Sequence, residues 1–201
     1  MPTAIIGVGN IGKAIASHLT EGGETVVLAA STPAQAERLA RGLGGLSSAA
    51  DVADVADAID QADTVIFAVW FDVLEDLVRQ NATQLSGKAV IDPSNPIAPD
   101  GQGGFKRALP DGVSAGSVIA GLLPSGARLV KAFGTVSAGH LADAANRSPD
   151  RAVLFYATDD DVAASAAARL ISAAGFAPVR RAAWTRQSGS RCSVTCTTTV
   201  A

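Results

Sequence analysis

The residues Gly7-Val8-Gly9-Asn10-Ile11-Gly12 place three glycines in the spacing G-x-G-x-x-G. That spacing carries chemistry only where it joins a strand to a helix. Thr3–Ile6 before it reads as a buried strand. Asn10–Thr20 after it reads as a helix, with apolar Ile11, Ala14, Ile15 and Leu19 at helical spacing. In that setting Gly7 permits a tight turn, and Gly9 lets the main chain approach a pyrophosphate with no β-carbon in the way. Gly12 lets helix and strand pack closely. Free N–H groups and the positive end of the helix dipole then face the phosphates. Gly7, Gly9, Asn10, Ile11 and Gly12 are thus expected to bind a dinucleotide.

The next strand, Thr25–Ala29, bears on which dinucleotide. An acidic residue at its end would hold the ribose hydroxyls and repel a 2′-phosphate. The chain has Ala29-Ala30-Ser31-Thr32 instead. No carboxylate repels the phosphate, and Ser31 and Thr32 can donate to its oxygens, which favours NADP over NAD. The same hydroxyls are placed to cap a helix over Pro33–Arg41, with Pro33 in its first turn.

Other chemistry-bearing residues are sparse. His18 falls on the first helix beside Leu19 and reads as a surface or helix-packing residue. His140 follows Ser137-Ala138-Gly139 beyond a strand end, where clefts form, and is a candidate substrate contact. Lys131 reads as a solvated lysine on a strand rather than a phosphate ligand. Trp70, just past a strand, either stacks on a ligand ring or closes the core as a lid. Asp159-Asp160-Asp161 reads as acidic residues at a helix start, not as a metal site. Cys192 and Cys196 are the only cysteines, and His18 and His140 the only histidines. That excludes a disulfide framework and a structural zinc site, and argues against a metalloenzyme or a Ser-His-Asp hydrolase. No metal site is expected.

These residues need a scaffold. Thr64–Val69, Ala89–Ile91, Leu129–Phe133 and Val153–Tyr156 are further apolar runs of strand length. Ala49–Ile59, Val73–Arg79, Ser117–Leu122 and Val162–Ala174 read as helices, and the Pro- and Gly-rich stretch Asp92–Asp111 reads as a long loop. Continuous apolar strands imply burial on both faces. Their alternation with helices predicts an α/β, Rossmann-type doubly wound fold: a mainly parallel sheet with helices on both faces. Residues 1–179 are expected to form this NADP-binding Rossmann-like domain, and residues 180–201 an atypical basic tail containing Thr and Cys.

Composition sets outer bounds. The 201 residues carry 16 Lys+Arg against 19 Asp+Glu, a formal charge of −3. A hydrophobic content of 48% is enough for a sizeable core. All 19 acidic residues lie within 1–161, whereas 162–201 holds five Arg and no acid. The acidic balance argues against nucleic acid as a partner. No apolar run reaches membrane-spanning length, and the first residues lack the charged leader of a signal peptide. No membrane association is expected, and the expected compartment is the cytoplasm.

Six segments, taken in order, resemble one family. They are the glycine loop, Val26-Val27-Leu28-Ala29-Ala30-Ser31, Phe67-Ala68-Val69-Trp70, Val90-Ile91-Asp92-Pro93-Ser94-Asn95-Pro96, Val130-Lys131-Ala132-Phe133-Gly134-Thr135 and Tyr156-Ala157-Thr158-Asp159-Asp160. Over roughly residues 3–179 they resemble the NADPH-dependent reductases of the deazaflavin coenzyme F-420. They also resemble the related oxidoreductase domain of membrane metalloreductases. The resemblance implies hydride transfer between NADP(H) and coenzyme F-420 or another flavin-like co-substrate stacked on the nicotinamide. It puts Gly7, Gly9, Asn10, Ile11 and Gly12 at the pyrophosphate and Ser31 and Thr32 at the 2′-phosphate. Ala68, Val69 and Trp70 then line the cofactor, and Ser94, Asn95 and Pro96 lie near the nicotinamide. Phe133, Gly134 and Thr135 lie near the second substrate. The expected partner is a small-molecule hydride acceptor, and the expected assembly a homodimer. The chain departs from the family at Thr32 and Pro33, where arginines often follow the serine, and at Gly134, where many relatives have Asn.

Hydride passing between stacked rings needs orientation and exclusion of water rather than a side-chain acid or base. No catalytic side chain is assigned. Two other readings fit the same residues. One is reduction of free flavin, a ferric chelate or a small carbonyl compound. The other is a redox sensor that binds NADP(H) without turnover.

The tail reads literally as a basic segment, or as one late strand around Ser193–Val200. A sharper reading is a shifted reading frame. Moved by two bases, Ala183–Gln187 permits Leu-Asp-Gln-Ala and Val194–Thr199 permits Asp-Leu-His-His-Tyr. The second string resembles the C-terminal ends of some relatives.

Overall fold

The computed structural model describes residues 2–43 and 50–181. In chain order the elements are β1 (Thr3–Ile6), α1 (Asn10–Glu21), β2 (Val26–Ala29), α2 (Pro33–Gly42), β3 (Ala50–Val52), α3 (Val55–Asp60), β4 (Thr64–Phe67), α4 (Phe71–Gln80) and α5 (Ala82–Leu85). There follow β5 (Ala89–Asp92), β6 (Ile97–Pro99), β7 (Phe105–Arg107), α6 (Ala115–Leu122), β8 (Arg128–Lys131), α7 (Ala138–Asp143), β9 (Val153–Tyr156), α8 (Asp161–Ala173) and β10 (Ala177–Arg180).

Six strands form one sheet in the order β3-β2-β1-β4-β5-β8, every neighbouring pair parallel. The chain winds outward from β1 to β3, then returns to start again at β4 on the other side. This is the expected doubly wound α/β fold. β9 and β10 pair in parallel, and a two-bond bridge between Lys131 and Ala157 attaches them to the edge at β8.

The apolar runs of β1, β2, β4, β5 and β8 are continuous because each of these strands feeds two cores; β9 departs from that expectation, with Leu154 and Tyr156 buried but Val153 and Phe155 exposed at the sheet margin. Ile5, Leu28, Ile66, Ile91 and Val130 pack with Ile15 and Leu19 of α1 and with Leu170 and Ile171 of α8. Their neighbours Ala4, Ile6, Val27, Val65, Phe67 and Val90 pack on the other face with Ile59, Leu74, Val78 and Ile119. Cutting back one fully buried side chain such as Ile66 to Ala costs about 2–5 kcal/mol. Helix starts follow capping chemistry. Asp54 accepts from the Asp57 amide at 3.0 Å, Ser114 from Ser117 at 3.0 Å, and Asp160 from Ala163 at 2.8 Å. Asp160 thus fills the helix-start role expected of the Asp159–Asp161 run.

Two expectations need correction. Ala49–Ile59 is not one helix: Ala50–Val52 is the edge strand β3, paired with Val26–Leu28, and helix α3 begins only after Asp54. The open edge of β2 supplies hydrogen-bond partners that a local reading of Asp-Val-Ala spacing does not see. Asp92–Asp111 is not loop throughout. Ile97–Pro99 and Phe105–Arg107 form a short antiparallel hairpin, closed by Asp100, whose Oδ1 accepts from the amides of Gln102 at 2.7 Å and Gly104 at 2.9 Å.

Of the tail, Arg180 ends β10 with its guanidinium 2.7 Å from Asp161, and the Arg181 amide donates to Tyr156 O at 2.8 Å. Residues 182–201 lie outside the described residues, as do the late-strand and reading-frame expectations made for them. Among the described residues no helix is long and apolar enough to cross a membrane.

Candidate dinucleotide site

A doubly wound sheet leaves a crevice at the carboxyl ends of its strands where the winding reverses. Here the reversal lies between β1 and β4, and the loops that follow them interlock. Gly7 N donates to Ala29 O at 2.8 Å, and Ala68 N donates to Ile6 O at 2.8 Å. The ends of β2, β1 and β4 are thereby tied side by side.

Each glycine of the loop meets a different constraint. Gly7 has φ +96°, and a β-carbon there would lie 2.5 Å from Ala68 O and 2.7 Å from Val69 Cγ1. A β-carbon on Gly12 would overlap Gly7 O. Gly9 differs: a β-carbon there would meet nothing within 4 Å, so its glycine is not demanded by the protein's own packing. Gly9 is the N-cap of α1 in extended geometry. The first amide bonded within the helix is that of Lys13, to Gly9 O at 2.8 Å. The amides of Asn10, Ile11 and Gly12 are the helix's leading donors, behind a position that a side chain would fill. Such a cradle fits a pyrophosphate.

Around it stand the other predicted residues. Ser31 and Thr32 follow β2 and are exposed. Thr32 is the N-cap of α2, yet its side chain makes no capping hydrogen bond. The capping role is therefore not used. Ala68, Val69 and Trp70 follow β4. Trp70 is 53% exposed, and its ring lies 6.1 Å from that of Phe105, which is 61% exposed, at an interplanar angle of 32°. The aromatic-lid reading of Trp70 is thus set aside in favour of a ring held at the surface.

Beyond β5 and β8 the second group assembles. Asn95 Nδ2 donates to Gly134 O at 3.1 Å, joining Ser94–Pro96 to Phe133–Thr135. Phe133 is fully buried with φ +63°, a conformation that costs a non-glycine residue about 1–3 kcal/mol. It turns the chain sharply at the end of β8. A β-carbon on Gly134 would run into Pro93 O, so the departure from Asn at this position is required by the backbone as it stands here. Ser94 Oγ and Thr135 Oγ1 are buried and have no hydrogen-bond partner among the described residues.

The two histidines separate. His18 Nε2 lies 3.0 Å from Leu141 O, and its ring meets Phe176 edge-on at 6.2 Å, so it packs α1 on α7. His140 sits in the first turn of α7 with Nδ1 2.9 Å from Ser137 Oγ, which leaves Nε2 for any ligand. Lys131 corrects an expectation. It is neither solvated nor a free phosphate ligand, because its Nζ lies 2.7 Å from Asp92 Oδ2 and Asp92 is fully buried. Phe105 was not singled out from the sequence, since nothing local places a three-residue strand beside Trp70.

A cavity of about 550 Å3 opens near Thr3, Glu24, Asp63 and Arg169, at the amino ends of the strands. It contains none of the residues above and is bordered by the Arg169–Glu24 ion pair. The strand-end crevice is the better candidate on chemical grounds.

Fold and cradle together define a dinucleotide-binding α/β protein. The family model described as NADP oxidoreductase, coenzyme F-420-dependent, matches residues 2–96. A hypothetical protein of Sinorhizobium meliloti, SMa0349, is 34% identical, with a TM-score of 0.80 over 91% of this chain and 85% of that one. The chain belongs to this family of NADP-dependent oxidoreductases. A protein of Arthrobacter sp. FB24, provisionally assigned as an F-420-dependent NADP reductase, shares the fold at TM-score 0.73 and 23% identity, over 91% of this chain and 85% of that one. The reductive aminase of Aspergillus terreus, in complex with NADPH and ethyl levulinate, shares it at TM-score 0.62 and 17% identity, over 90% of this chain and 55% of that one. Among curated proteins none matches the chain.

Proposed function

We propose that this protein transfers hydride between NADP(H) and a planar, flavin-like acceptor, with coenzyme F-420 as the first candidate. The observation that carries the reading is the open position in front of Gly9. In this reading the amides of Asn10, Ile11 and Gly12 hold the pyrophosphate. The hydroxyls of Ser31 and Thr32, which no capping bond from Thr32 competes for, take the 2′-phosphate and favour NADP over NAD. Ala68, Val69 and Trp70 flank the cofactor, and Ser94, Asn95 and Pro96 meet its nicotinamide end. Gly134, Thr135 and His140 face the acceptor, and fully buried Phe133 sets the turn of the chain behind them. When bound, the nicotinamide supplies or receives the hydride. The protein's part is to bind, orient and exclude water.

The preference for a planar acceptor draws support from two exposed rings, Trp70 after β4 and Phe105 on the hairpin that follows the neighbouring strand β5. Offset rings of this kind stack on a flat π-system. The test is NADPH oxidation by the purified protein with coenzyme F-420, FMN and a ferric chelate in parallel. Turnover with F-420 well above the other two is the expected result. Tight NADPH binding with no turnover on any acceptor would replace this reading by that of a sensor.

A further inference from the structure

We propose that Lys131 is a positioning residue for the nicotinamide end of the site, acting through Asp92 and the peptide unit of Ser94. The inference rests on the reading of the strand-end crevice as the NADP(H) site.

Asp92 is the last residue of β5 and Lys131 the last of β8, and the parallel register sets them side by side. Asp92 is wholly buried, and a carboxylate in that position needs partners for both oxygens. Oδ2 receives Lys131 Nζ at 2.7 Å, and Oδ1 receives the Ser94 amide at 2.7 Å. Lys131 Nζ also donates to Ser94 O at 2.6 Å. One ion pair thus grips both the N–H and the C=O of Ser94. Lys131 is itself held, since its amide and carbonyl each bond Ala157 at 2.9 Å.

The consequence falls on what Ser94 has left. Its main-chain groups are occupied, and its Oγ is buried with no partner among the described residues. Thr135 Oγ1, beyond the Asn95–Gly134 bond, is in the same condition. Buried polar atoms are rarely left unsatisfied in a native protein, and an exception calls for a ligand or other partner. Two such hydroxyls on adjoining strand ends suit a ligand group with both a donor and an acceptor, such as a primary carboxamide. The buried ion pair holds the first hydroxyl in place from behind, without touching that ligand.

The test compares binding of NADP with binding of 2′-phospho-ADP-ribose, which lacks the nicotinamide, by calorimetry. In the wild type NADP binds more tightly. In Lys131→Met that advantage is lost, on the order of tenfold, while affinity for the truncated ligand stays within about twofold. The double variant Asp92→Asn, Lys131→Met removes both charges and serves if the single variant is unstable. It recovers thermal stability but not the nicotinamide advantage. Equal weakening of both ligands, or recovery of the advantage in the double variant, makes the role merely structural and overturns the inference. A wild type that binds neither ligand overturns the site reading itself, and a wild type with no nicotinamide advantage overturns the inference alone.

Discussion

Gly12 packs against Gly7 so closely that a β-carbon on the first would overlap the carbonyl oxygen of the second. Two glycines of one motif can therefore be separated by experiment. Gly12→Ala must push helix α1 off β1 and is expected to cost about 1–3 kcal/mol or more, read as a fall in Tm. Gly9→Ala meets no protein atom within 4 Å and should leave Tm within the range of a surface substitution, about 0.5 kcal/mol. It should nonetheless weaken NADPH at least about tenfold. Unchanged binding in Gly9→Ala would remove the cradle from the account.

A charge placed beyond β2 should reset the choice of dinucleotide. Ser31→Asp puts a carboxylate where the proposed 2′-phosphate sits, so Coulomb repulsion acts on NADPH and not on NADH. The ratio of their dissociation constants is expected to move toward NADH by roughly tenfold or more. Titrating both nucleotides against wild type and variant decides it, and a parallel loss for both would mean that Ser31 lies away from the phosphate.

The same contrast between local and distant causes explains what the sequence could reveal. β1, β2, β4 and β5 were legible because each is buried on both faces, which leaves an unbroken apolar run. The glycine loop was legible because its spacing is complete within six residues, although the contact that constrains Gly7, with Ala68 and Val69, is not. β3 was not, since Ala50–Val52 becomes a strand only through the open edge of β2. The hairpin was hidden by its three-residue strands and by Pro99 within one of them. Asp92 and Lys131 are 39 positions apart, and their meeting depends on the β5–β8 register, which no local spacing encodes. Lys131 alone looks like any strand lysine.

The surface rings offer a direct reading of acceptor contact. If Trp70 and Phe105 stack on a planar acceptor, Phe105→Ala should raise the KM for that acceptor several-fold and up to about tenfold, in line with the roughly 0.5–1.5 kcal/mol that an aromatic contact contributes. NADPH affinity should stay unchanged, because Phe105 lies on the hairpin and not on the glycine loop. Steady-state kinetics with the acceptor varied, beside calorimetry with NADPH, separates the two. A rise in NADPH Kd with no change for the acceptor would place Phe105, with Trp70, over the cofactor and not against the acceptor.

The hairpin that carries Phe105 has its own pH dependence. The amides of Gln102 and Gly104 donate to the Asp100 carboxylate and hold its pKa below the usual carboxylate value. Those bonds favour the charged form. A group whose folded pKa lies below its unfolded one contributes order that is fully present above the unfolded pKa. That contribution is lost as pH falls through the folded value. Acidification below about pH 4 should therefore loosen the turn from Asp100 to Gly104 while the sheet, built on apolar contacts, stays intact. Asp100→Asn keeps an acceptor oxygen without the charge, and should hold the turn with weaker bonds but no acid transition. Amide hydrogen exchange at Gln102 and Gly104, followed across this range in both proteins, supplies the measurement. Exchange rates that show the same acid dependence in both, after correction for intrinsic chemistry, would detach the turn from the Asp100 carboxylate.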